Sequence, residues 1–234
     1  MKDQWHDSIF TKEWDETTLK GNPSRKEQLG ILISLLNNHC KSGDNILDIG
    51  IGSAQLQKEV FSKRDDICFV GVDYSDNMLN IAKKRLESLN IFSNQCYLIQ
   101  HDLADIQSIS LPKNNYSCVV SVQTLHHLNP AQQLKIHQFV YELLESNGIF
   151  LLLDRIEVDS KNMGNIYASM WDHLEQNAEE KSNLSSEKFL EQLSEKDDYP
   201  LKLEEQIEML QNVGFTATCL HLNLNRGLFI GKKL

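Results

Sequence analysis

The stretch Ile46-Leu47-Asp48-Ile49-Gly50-Ile51-Gly52-Ser53-Ala54 decides the fold of this chain. Its apolar first half is typical of a buried strand, the Gly-x-Gly that follows favours a tight turn, and residues 55–61 have a helix-forming composition. Glycines at 50 and 52 let a ligand approach the backbone, because they carry no Cβ atom. The helix that follows directs unpaired N–H groups at such a ligand. The pattern therefore predicts a strand, a turn and a helix that bind a nucleotide.

Outward from this stretch, apolar strands alternate with amphipathic helices. Residues 67–72 are an almost continuous apolar run, typical of a central strand that is covered on both faces. Further strands are predicted at 95–100, 116–122 and 149–154, with a closing antiparallel pair at 215–222 and 228–232. The alternation predicts an α/β protein with a three-layer, Rossmann-like, doubly wound sheet. With 234 residues, the chain is expected to form a single domain, residues 1–234.

The composition narrows the possible partners and the cellular location. Hydrophobic residues make up 41% of the chain and charged residues 24%, and no apolar run approaches the ~20 residues that span a bilayer, so no membrane partner is expected. The formal charge of −10 disfavours nucleic acid, whose phosphates are bound largely by Lys and Arg. The polar, acidic start lacks the apolar core of a secretory signal, and the five cysteines include no Cys-x-x-Cys pair. These features predict a cytoplasmic protein with reduced thiols.

Asp73 ends the apolar run about twenty residues after the glycine turn, the separation at which Rossmann-like folds place an acidic residue on the ribose hydroxyls. The alternative is that Asp73 caps the following helix, but Ser75 is available for that role. We therefore predict that Asp73 binds a ribose. A dinucleotide fingerprint, by contrast, requires a third glycine where this chain has Gln55, which disfavours a nicotinamide-dependent dehydrogenase.

Four motifs resemble those of the class I S-adenosylmethionine (SAM) dependent methyltransferases. The stretch from Asp48 resembles Asp-x-Gly-x-Gly-x-Gly, with Ala54 in place of the last glycine, and residues 70–79 resemble Gly-x-Asp-x-Ser-x-x-Met-Leu. Asp102-Leu103 follows the third strand, where the family has an acidic and an apolar residue. Residues 116–128 resemble Phe-Asp-x-Val-x-Ser-x-x-x-Leu-His-His-Leu, with Ser117 in place of the frequent aspartate. By motif, the resemblance covers about residues 24–154, and the order of the elements extends it to the rest.

The resemblance implies a seven-stranded sheet whose last strand is antiparallel, and SAM as the cofactor. It also implies a set of SAM-binding residues, which are Asp48, Gly50, Gly52, Asp73, Tyr74, Met78, Asp102, Leu103 and Ser121. In the family, the residue equivalent to Asp102 accepts a hydrogen bond from the adenine amino group, and the apolar residue next to it packs on the adenine ring. The alternative for Asp102 is a cap on the turn 103–106.

His126 and His127 follow the fourth strand, at the edge where an open α/β sheet builds its ligand crevice. Imidazole has the unperturbed pKa nearest the working pH, so one of the pair, preferably His126, is predicted to be the general base that takes a proton from the acceptor. The alternative is that both histidines only hold the loop together. No metal site is expected, because neighbouring residues of a strand point in opposite directions and no third ligand stands at metal spacing.

Two aromatic segments outside the sheet are predicted to cover an acceptor. The first is an N-terminal helical lid within residues 1–22, where Trp5, Ile9, Phe10 and Trp14 share one face of a helix. The second is a helical insert after strand five, residues 159–198, which carries Tyr167 and Trp171. We predict that Trp14, Tyr167 and Trp171 bind substrate. For both segments the alternative is that the aromatic residues only pack against the domain or a second subunit.

Together these features predict an enzyme that transfers a methyl group from SAM to a small-molecule acceptor, as a monomer or a homodimer. The alternative is a catalytically inactive SAM-binding subunit that regulates or assists a partner. The departures from the family pattern at Ala54, Ser117 and Asn147-Gly148 motivate this alternative. No motif encodes the acceptor or the atom that is methylated.

Overall fold

The computed structural model describes residues 2–17, 24–91, 94–177, 184–193 and 198–234. Residues 1 and 18–22 of the predicted lid, and residues 178–183 and 194–197 of the predicted insert, lie outside this description. The centre of the structure is a seven-stranded sheet in the order β3-β2-β1-β4-β5-β7-β6. Its strands are β1 (Asn45–Ile49), β2 (Cys68–Asp73), β3 (Cys96–Gln100), β4 (Tyr116–Val122), β5 (Leu144–Arg155), β6 (Thr216–Asn223) and β7 (Arg226–Lys232). Strand β7 runs antiparallel to its neighbours β5 and β6, so the predicted fold class is confirmed.

Helices cover both faces of the sheet because its central strands are apolar on both sides. Consecutive residues Ile46 and Leu47 of β1 are fully buried in two different hydrophobic clusters. The first cluster contains Leu32 and Leu36 of the second helix, and the other contains Ile136 of the fifth helix. The described helices are α1 (Ser8–Thr17), α2 (Arg25–His39), α3 (Gln55–Phe61), α4 (Asp76–Ser88), α5 (Pro130–Leu143), α6 (Ser160–Asn177), α7 (Ser186–Gln192) and α8 (Leu203–Val213). None of them has the length and apolar composition needed to cross a membrane.

Strand β5 begins earlier than the sequence predicts. The Asn147-Gly148 turn was expected to precede the strand, but Leu144 already pairs with Tyr116 of β4. The register then shifts before Cys118 pairs with Ile149, and Asn147 has a left-handed backbone with φ of 67°. The turn residues therefore form an irregularity inside β5, which a linear pattern of apolar residues does not reveal.

The register of the parallel strands gathers the predicted motifs at one edge of the sheet. Strand β1 pairs in parallel with β2 on one side and with β4 on the other, so the chain order reverses beside β1. Open α/β sheets bind ligands outside the carboxyl ends of their strands at such a switch point. The residues that leave β1, β2, β3 and β4 at this edge define the candidate site.

Candidate active site

A crevice of about 820 Å³, including its open mouth, lies above the carboxyl ends of β1 to β4. Its lining residues come from the N-terminal helices, the glycine turn, the ends of β2 and β4, and the turns that follow β3 and β4. They are Trp5, Trp14, Gly50, Gly52, Asp73, Tyr74, Ser75, Met78, Asp102, Leu103, Val122, Gln123, Thr124, His127 and Leu128. The structure thus brings together seven of the nine residues predicted to bind SAM, all except Asp48 and Ser121.

The glycine turn requires glycine at position 50 for two reasons. Gly50 has φ of +82°, a conformation that L side chains rarely adopt, and a Cβ atom there would collide with the side chain of Thr124. Thr124 follows β4, so two strand ends approach each other closely at this point. The motif alone did not indicate this contact, since Thr124 has no counterpart in the glycine pattern.

Asp73 joins the glycine turn to the start of α4. Its Oδ2 accepts a hydrogen bond from the backbone N–H of Gly52 at 2.7 Å, and its Oδ1 accepts one from Ser75 at 2.9 Å. Burial raises the pKa of Asp73, and the backbone N–H groups of Ser75 and Gly52 oppose that rise. The hydroxyl of Ser75 caps α4 by accepting from the N–H of Met78 at 3.1 Å. Asp73 therefore lies at the crevice with its carboxylate positioned by backbone N–H groups, and a carboxylate accepts several hydrogen bonds, including those of ribose hydroxyls.

Asp102 caps the turn after β3 and also lies at the crevice. Its Oδ1 accepts a hydrogen bond from the backbone N–H of Ala104 at 2.9 Å, so it does cap the short 3₁₀ turn Leu103–Ser108. It also lines the crevice together with Leu103, Tyr74 and Met78. A carboxylate accepts several hydrogen bonds, so the cap does not conflict with a contact to an adenine amino group.

Asp48 and Arg25 face a small cavity on the other side of the glycine turn, which they share with Gly50, Gly52 and Trp14. Oδ2 of Asp48 accepts a hydrogen bond from Gln57 at 2.7 Å, whereas its Oδ1 has no partner among the described residues. Nε of Arg25 is likewise buried without a partner in the described part of the chain. Burial raises the pKa of Asp48 to about 7 and lowers that of Arg25 to about 10.

Two unsatisfied groups of opposite charge beside one cavity are the complement of a zwitterion. An α-amino acid group, such as the methionine part of SAM, supplies an ammonium for Asp48 and a carboxylate for Arg25. The sequence does not identify Arg25 as a candidate binding residue, because it resembles any basic residue at the start of a surface helix. No motif signals it, because the contact with the glycine turn depends on how α2 packs on the sheet.

Ser121 does not reach the crevice. It is fully buried within β4, and its hydroxyl donates to the backbone oxygen of Ile49 at 2.8 Å. Its position therefore supports the pairing of β4 with β1. A direct contact between Ser121 and a bound cofactor has no support in this geometry.

The two histidines have different surroundings. His126 is buried, with 2% of its side chain exposed; its Nδ1 makes a short hydrogen bond to Asp154, which also accepts from the backbone N–H of His126 at 3.0 Å. His127 lines the crevice, and its Nδ1 lies 2.8 Å from Oδ1 of Asp198. The sequence-based preference for His126 assumed strand alternation, but both residues lie in the 3₁₀ turn Leu125–His127. His127 is consequently the member of the pair that can meet an acceptor.

The reasons for expecting no metal site do not hold in the structure. The two imidazole rings lie side by side, with centroids 4.0 Å apart, instead of pointing in opposite directions. Asp198, at the C-terminal end of the insert, contacts His127 and is a third possible ligand. Sequence spacing could not reveal it, because 71 residues separate the two.

The N-terminal segment forms one wall of the crevice. Trp5 packs edge-on against Trp14, with ring centroids 5.3 Å apart, and both line the crevice. The binding of substrate by Trp14 stays a prediction. Asp15, which the sequence did not single out, holds α1 in place through Ser53 at 2.5 Å, Gln55 at 2.9 Å and Arg85 at 2.6 Å. The described part of the predicted lid therefore covers the glycine turn.

The insert does not place its predicted substrate residues at the crevice. Trp171 is buried against Phe189 with stacked rings 4.4 Å apart, and its Nε1 donates to the backbone oxygen of Leu184 at 3.0 Å. Tyr167 packs on the same small cluster. Their helical spacing thus marks the core of the insert itself, and a substrate role for Tyr167 or Trp171 has no support in this arrangement.

Comparison with known proteins agrees with this fold. Residues 46–148 match a protein family described as a methyltransferase domain. A carboxy-S-adenosyl-L-methionine synthase of Nautilia profundicola is 24% identical over 214 residues, which are 89% of this chain and 85% of that protein. The corresponding synthase of Campylobacter hominis is 22% identical over 97% of this chain and 93% of its own length.

Solved structures show the same architecture. A putative O-methyltransferase from Nostoc punctiforme superposes with a TM-score of 0.67 at 16% identity over 98% of this chain and 60% of that chain. Magnesium protoporphyrin IX methyltransferase from Synechocystis PCC 6803, solved with bound S-adenosylhomocysteine (SAH), gives 0.62 at 12% identity over 90% of this chain and 84% of that chain. This chain spans only 55%, 56% and 60% of three of the solved chains that it resembles.

The fold and the crevice define an enzyme of the Rossmann-like class whose cofactor is SAM. Residues 46–148 match the methyltransferase domain family, and the chain has the fold of the class I SAM-dependent methyltransferases.

Proposed function

We propose that this enzyme transfers the methyl group of SAM to a small apolar or aromatic acceptor that carries a hydroxyl or an amine. The observation that carries the proposal is the composition of the crevice. Its acceptor end, lined by Trp5, Trp14, His127 and Leu128, contains no Lys or Arg among the described lining residues. An anionic acceptor would lose its hydration there without gaining a charged partner, so an uncharged acceptor fits better.

We further propose a placement of SAM that uses the partners described above. The ribose hydroxyls bind Asp73, the adenine lies against Asp102 and Leu103, and the methionine group extends past Gly50 to Arg25 and Asp48. The unsatisfied atoms of Arg25 and Asp48 support this direction, because a zwitterion satisfies both. The sulfonium then lies between the glycine turn and His127, at the boundary of the two ends of the crevice.

The reaction is an in-line displacement at the methyl carbon. The acceptor oxygen or nitrogen forms a bond to that carbon, the C–S bond breaks, and its electrons return to sulfur to give SAH. The proton of the acceptor hydroxyl or amine passes to solvent. Holding the reacting atoms about 3 to 3.5 Å apart supplies much of the acceleration in such reactions. Trp5 and Trp14 exclude water, and the charge of the sulfonium is lost as the bond breaks, so an apolar wall suits the transition state.

A second candidate is the synthesis of carboxy-SAM, because the synthases named above match this chain along 85% and 93% of their own lengths. That product carries an additional carboxylate on the transferred carbon. Among the described residues that line the crevice, His127 is the only one with a basic side chain to pair with this carboxylate. For this reason we place methyl transfer first.

Mass spectrometry of the nucleoside products separates the candidates. The purified protein is incubated with SAM and a panel of phenols, amines and carboxylic acids, with Asp73→Ala as the control for cofactor-dependent product. Methyl transfer yields SAH and a methylated acceptor. A nucleoside heavier than SAM by the mass of CO₂ would favour the synthase, and SAM binding without any product would favour an inactive subunit.

We also propose a cytoplasmic location. All five cysteines are free thiols in the structure, as expected for a reducing compartment. A monomer and a homodimer both remain compatible with the proposal, since the crevice is built from one chain.

A further inference from the structure

His126, His127 and Asp198 each offer one possible metal-ligand atom, and these atoms all lie within 4.8 Å of one another. Nδ1 of His127 is 2.8 Å from Oδ1 of Asp198, and Nε2 of His126 is 3.8 Å from its Oδ2. Ligands at the usual zinc distances of about 2.0 to 2.2 Å stand roughly 3.3 Å apart around a tetrahedral ion. All three ligand atoms lie within 4.8 Å of one another, so movements of about 1 Å would place them around one ion.

Nε2 of His126 is the atom that points to a ligand. The side chain is 2% exposed, and Nε2 has no hydrogen-bond partner in the described part of the chain. Because Nδ1 is engaged by Asp154, the ring proton is assigned to Nδ1 and the lone pair to Nε2. A buried lone pair that faces a carboxylate oxygen is unfavourable unless a cation or a proton lies between them.

The surroundings of the three residues resemble those of a metal centre. Metal-bound histidines commonly donate their other ring N–H to a carboxylate, and Asp154 accepts such a hydrogen bond from His126. Tyr199 fixes the neighbouring backbone by donating to the oxygen of His126 at 2.6 Å. Arg155 contacts Oδ2 of Asp198 at 2.5 Å, which leaves Oδ1 for an ion. The ion would replace the proton shared by His127 and Asp198, and the ring proton of His127 would then reside on Nε2.

We propose that His126, His127 and Asp198 bind one divalent first-row transition metal, and that Zn²⁺ suits this donor set best. Two imidazoles and a carboxylate match catalytic zinc sites, which keep a position open for water or substrate. His127 also lines the crevice, so the open position lies at its acceptor end.

The role of the ion rests on the proposed function. A bound Zn²⁺ lowers the pKa of an acceptor hydroxyl on the open position. The hydroxyl proton passes to solvent, the oxygen attacks the methyl carbon of SAM, and the electrons of the C–S bond return to sulfur. In this role His127 is a ligand and the ion activates the acceptor, which replaces the prediction that a histidine is the general base.

Metal titration tests the site without any assay of activity. Tag-free protein is stripped with a chelator, titrated with Zn²⁺ by calorimetry, and titrated with Co²⁺ while its visible absorption is recorded. We expect one equivalent of Zn²⁺ to bind and the Co²⁺ protein to show the bands of a low-symmetry nitrogen and oxygen site. His126→Ala and Asp198→Asn should each weaken Zn²⁺ binding at least tenfold, by analogy with the roughly 10- to 100-fold losses seen for residues one shell further out. His173→Ala, which removes an exposed histidine of α6, should leave the affinity unchanged.

Equal Zn²⁺ affinity in wild type, His126→Ala and Asp198→Asn would overturn the proposal, as would a loss in His173→Ala as large as theirs. Circular dichroism establishes that each variant is folded, and if His126→Ala is not, Asp198→Asn and His127→Ala decide. A parallel titration with SAH keeps the two proposals apart. Protein that binds SAH but not Zn²⁺ refutes only the metal site, and protein that binds Zn²⁺ but yields no methylated product in any panel refutes only methyl transfer.

Discussion

The two ends of the crevice are assembled in different ways. At the cofactor end, Gly52 lies in the turn after β1 and Asp73 is the last residue of β2. They are 21 residues apart and are joined by one hydrogen bond of 2.7 Å. At the acceptor end, His127 meets Trp5 from the start of the chain, with ring centroids 6.1 Å apart, and Asp198 from 71 residues later. Adjacent parallel strands determine the first arrangement, whereas packing between remote segments determines the second. Substitutions can therefore perturb the cofactor end and the acceptor end separately.

The largest effect is expected at the cofactor end, from Asp73→Ala. Loss of the carboxylate removes charge-assisted hydrogen bonds to the ribose and should weaken SAM binding by about 2 to 3 kcal/mol. Calorimetric titration with SAM or SAH measures this change, and a thermal melt establishes that the variant is folded. Unchanged affinity in the folded variant would show that the ribose lies elsewhere.

At the acceptor end, His127→Ala should reduce turnover about 10²-fold while SAM affinity stays within about twofold of wild type. The reason is that the imidazole lies at the wall where the acceptor binds and away from the partners assigned to SAM. Single-turnover rates and SAM titrations on the same preparation measure both quantities. A parallel loss of SAM affinity would show that the cofactor end and the acceptor end of the crevice are coupled.

SAM affinity should fall as the pH drops below about 7, because burial raises the pKa of Asp48 to about 7. The ammonium of SAM favours the ionised carboxylate, so binding releases a proton below that pH, with a change of at most about tenfold, or 1.4 kcal/mol, per pH unit. In the free protein the same residue makes the free energy of unfolding decrease as the pH rises from the ordinary value of 3.8 towards 7, since the unfolded chain loses its proton first.

The matched variant for this prediction is Asp48→Asn, which keeps the shape of the side chain and cannot ionise. Its SAM affinity should be lower at pH 8 and nearly independent of pH between about 5 and 8, because the titrating group is absent. Titrations in buffers of different ionisation enthalpy report the released proton. A pH dependence that persists in Asp48→Asn would assign the effect to another group.

The smallest effect is expected from Asp15→Asn, which weakens the attachment of α1 to the glycine turn. The ion pair with Arg85 is lost while hydrogen bonding to Ser53 remains possible, so the cost should be about 1 kcal/mol. SAM should dissociate about fivefold faster, and the amides of α1 should exchange hydrogen faster in the bound protein. Stopped-flow displacement and hydrogen exchange measure these changes. An unaltered dissociation rate would indicate that α1 does not control release of the cofactor.

The contrast between the two ends also explains what the sequence could predict. The sheet, its order of elements and seven of the crevice residues follow local patterns, because a strand end and the turn after it are adjacent in the chain. Arg25, Thr124 and Asp198 carry no local signal, since their importance arises from contacts across the fold. Trp171 was predicted to bind substrate but packs in the core of the insert, because helical spacing shows which face is covered and not what covers it.

The choice between His126 and His127 failed for a related reason. Strand alternation was extended past the end of β4, but Gln123 has a left-handed backbone, with φ of 54°, and the chain then enters a 3₁₀ turn. Only the backbone of that turn determines which imidazole is buried. The left-handed residue and the 3₁₀ turn together end the alternation of the strand and leave His127 at the crevice.

The position of β7 has a consequence for how the protein is synthesised. Residues 226–232 insert between β5 and β6, so β6, although made earlier, has no partner in the sheet until β7 has left the ribosome. Until then the apolar edge of β5, with Phe150 and Leu152 fully buried in the finished protein, remains open to pairing with other nascent chains. Ribosome stalling or premature termination before Arg226 should therefore produce aggregation-prone chains in which the glycine turn and the crevice are already encoded.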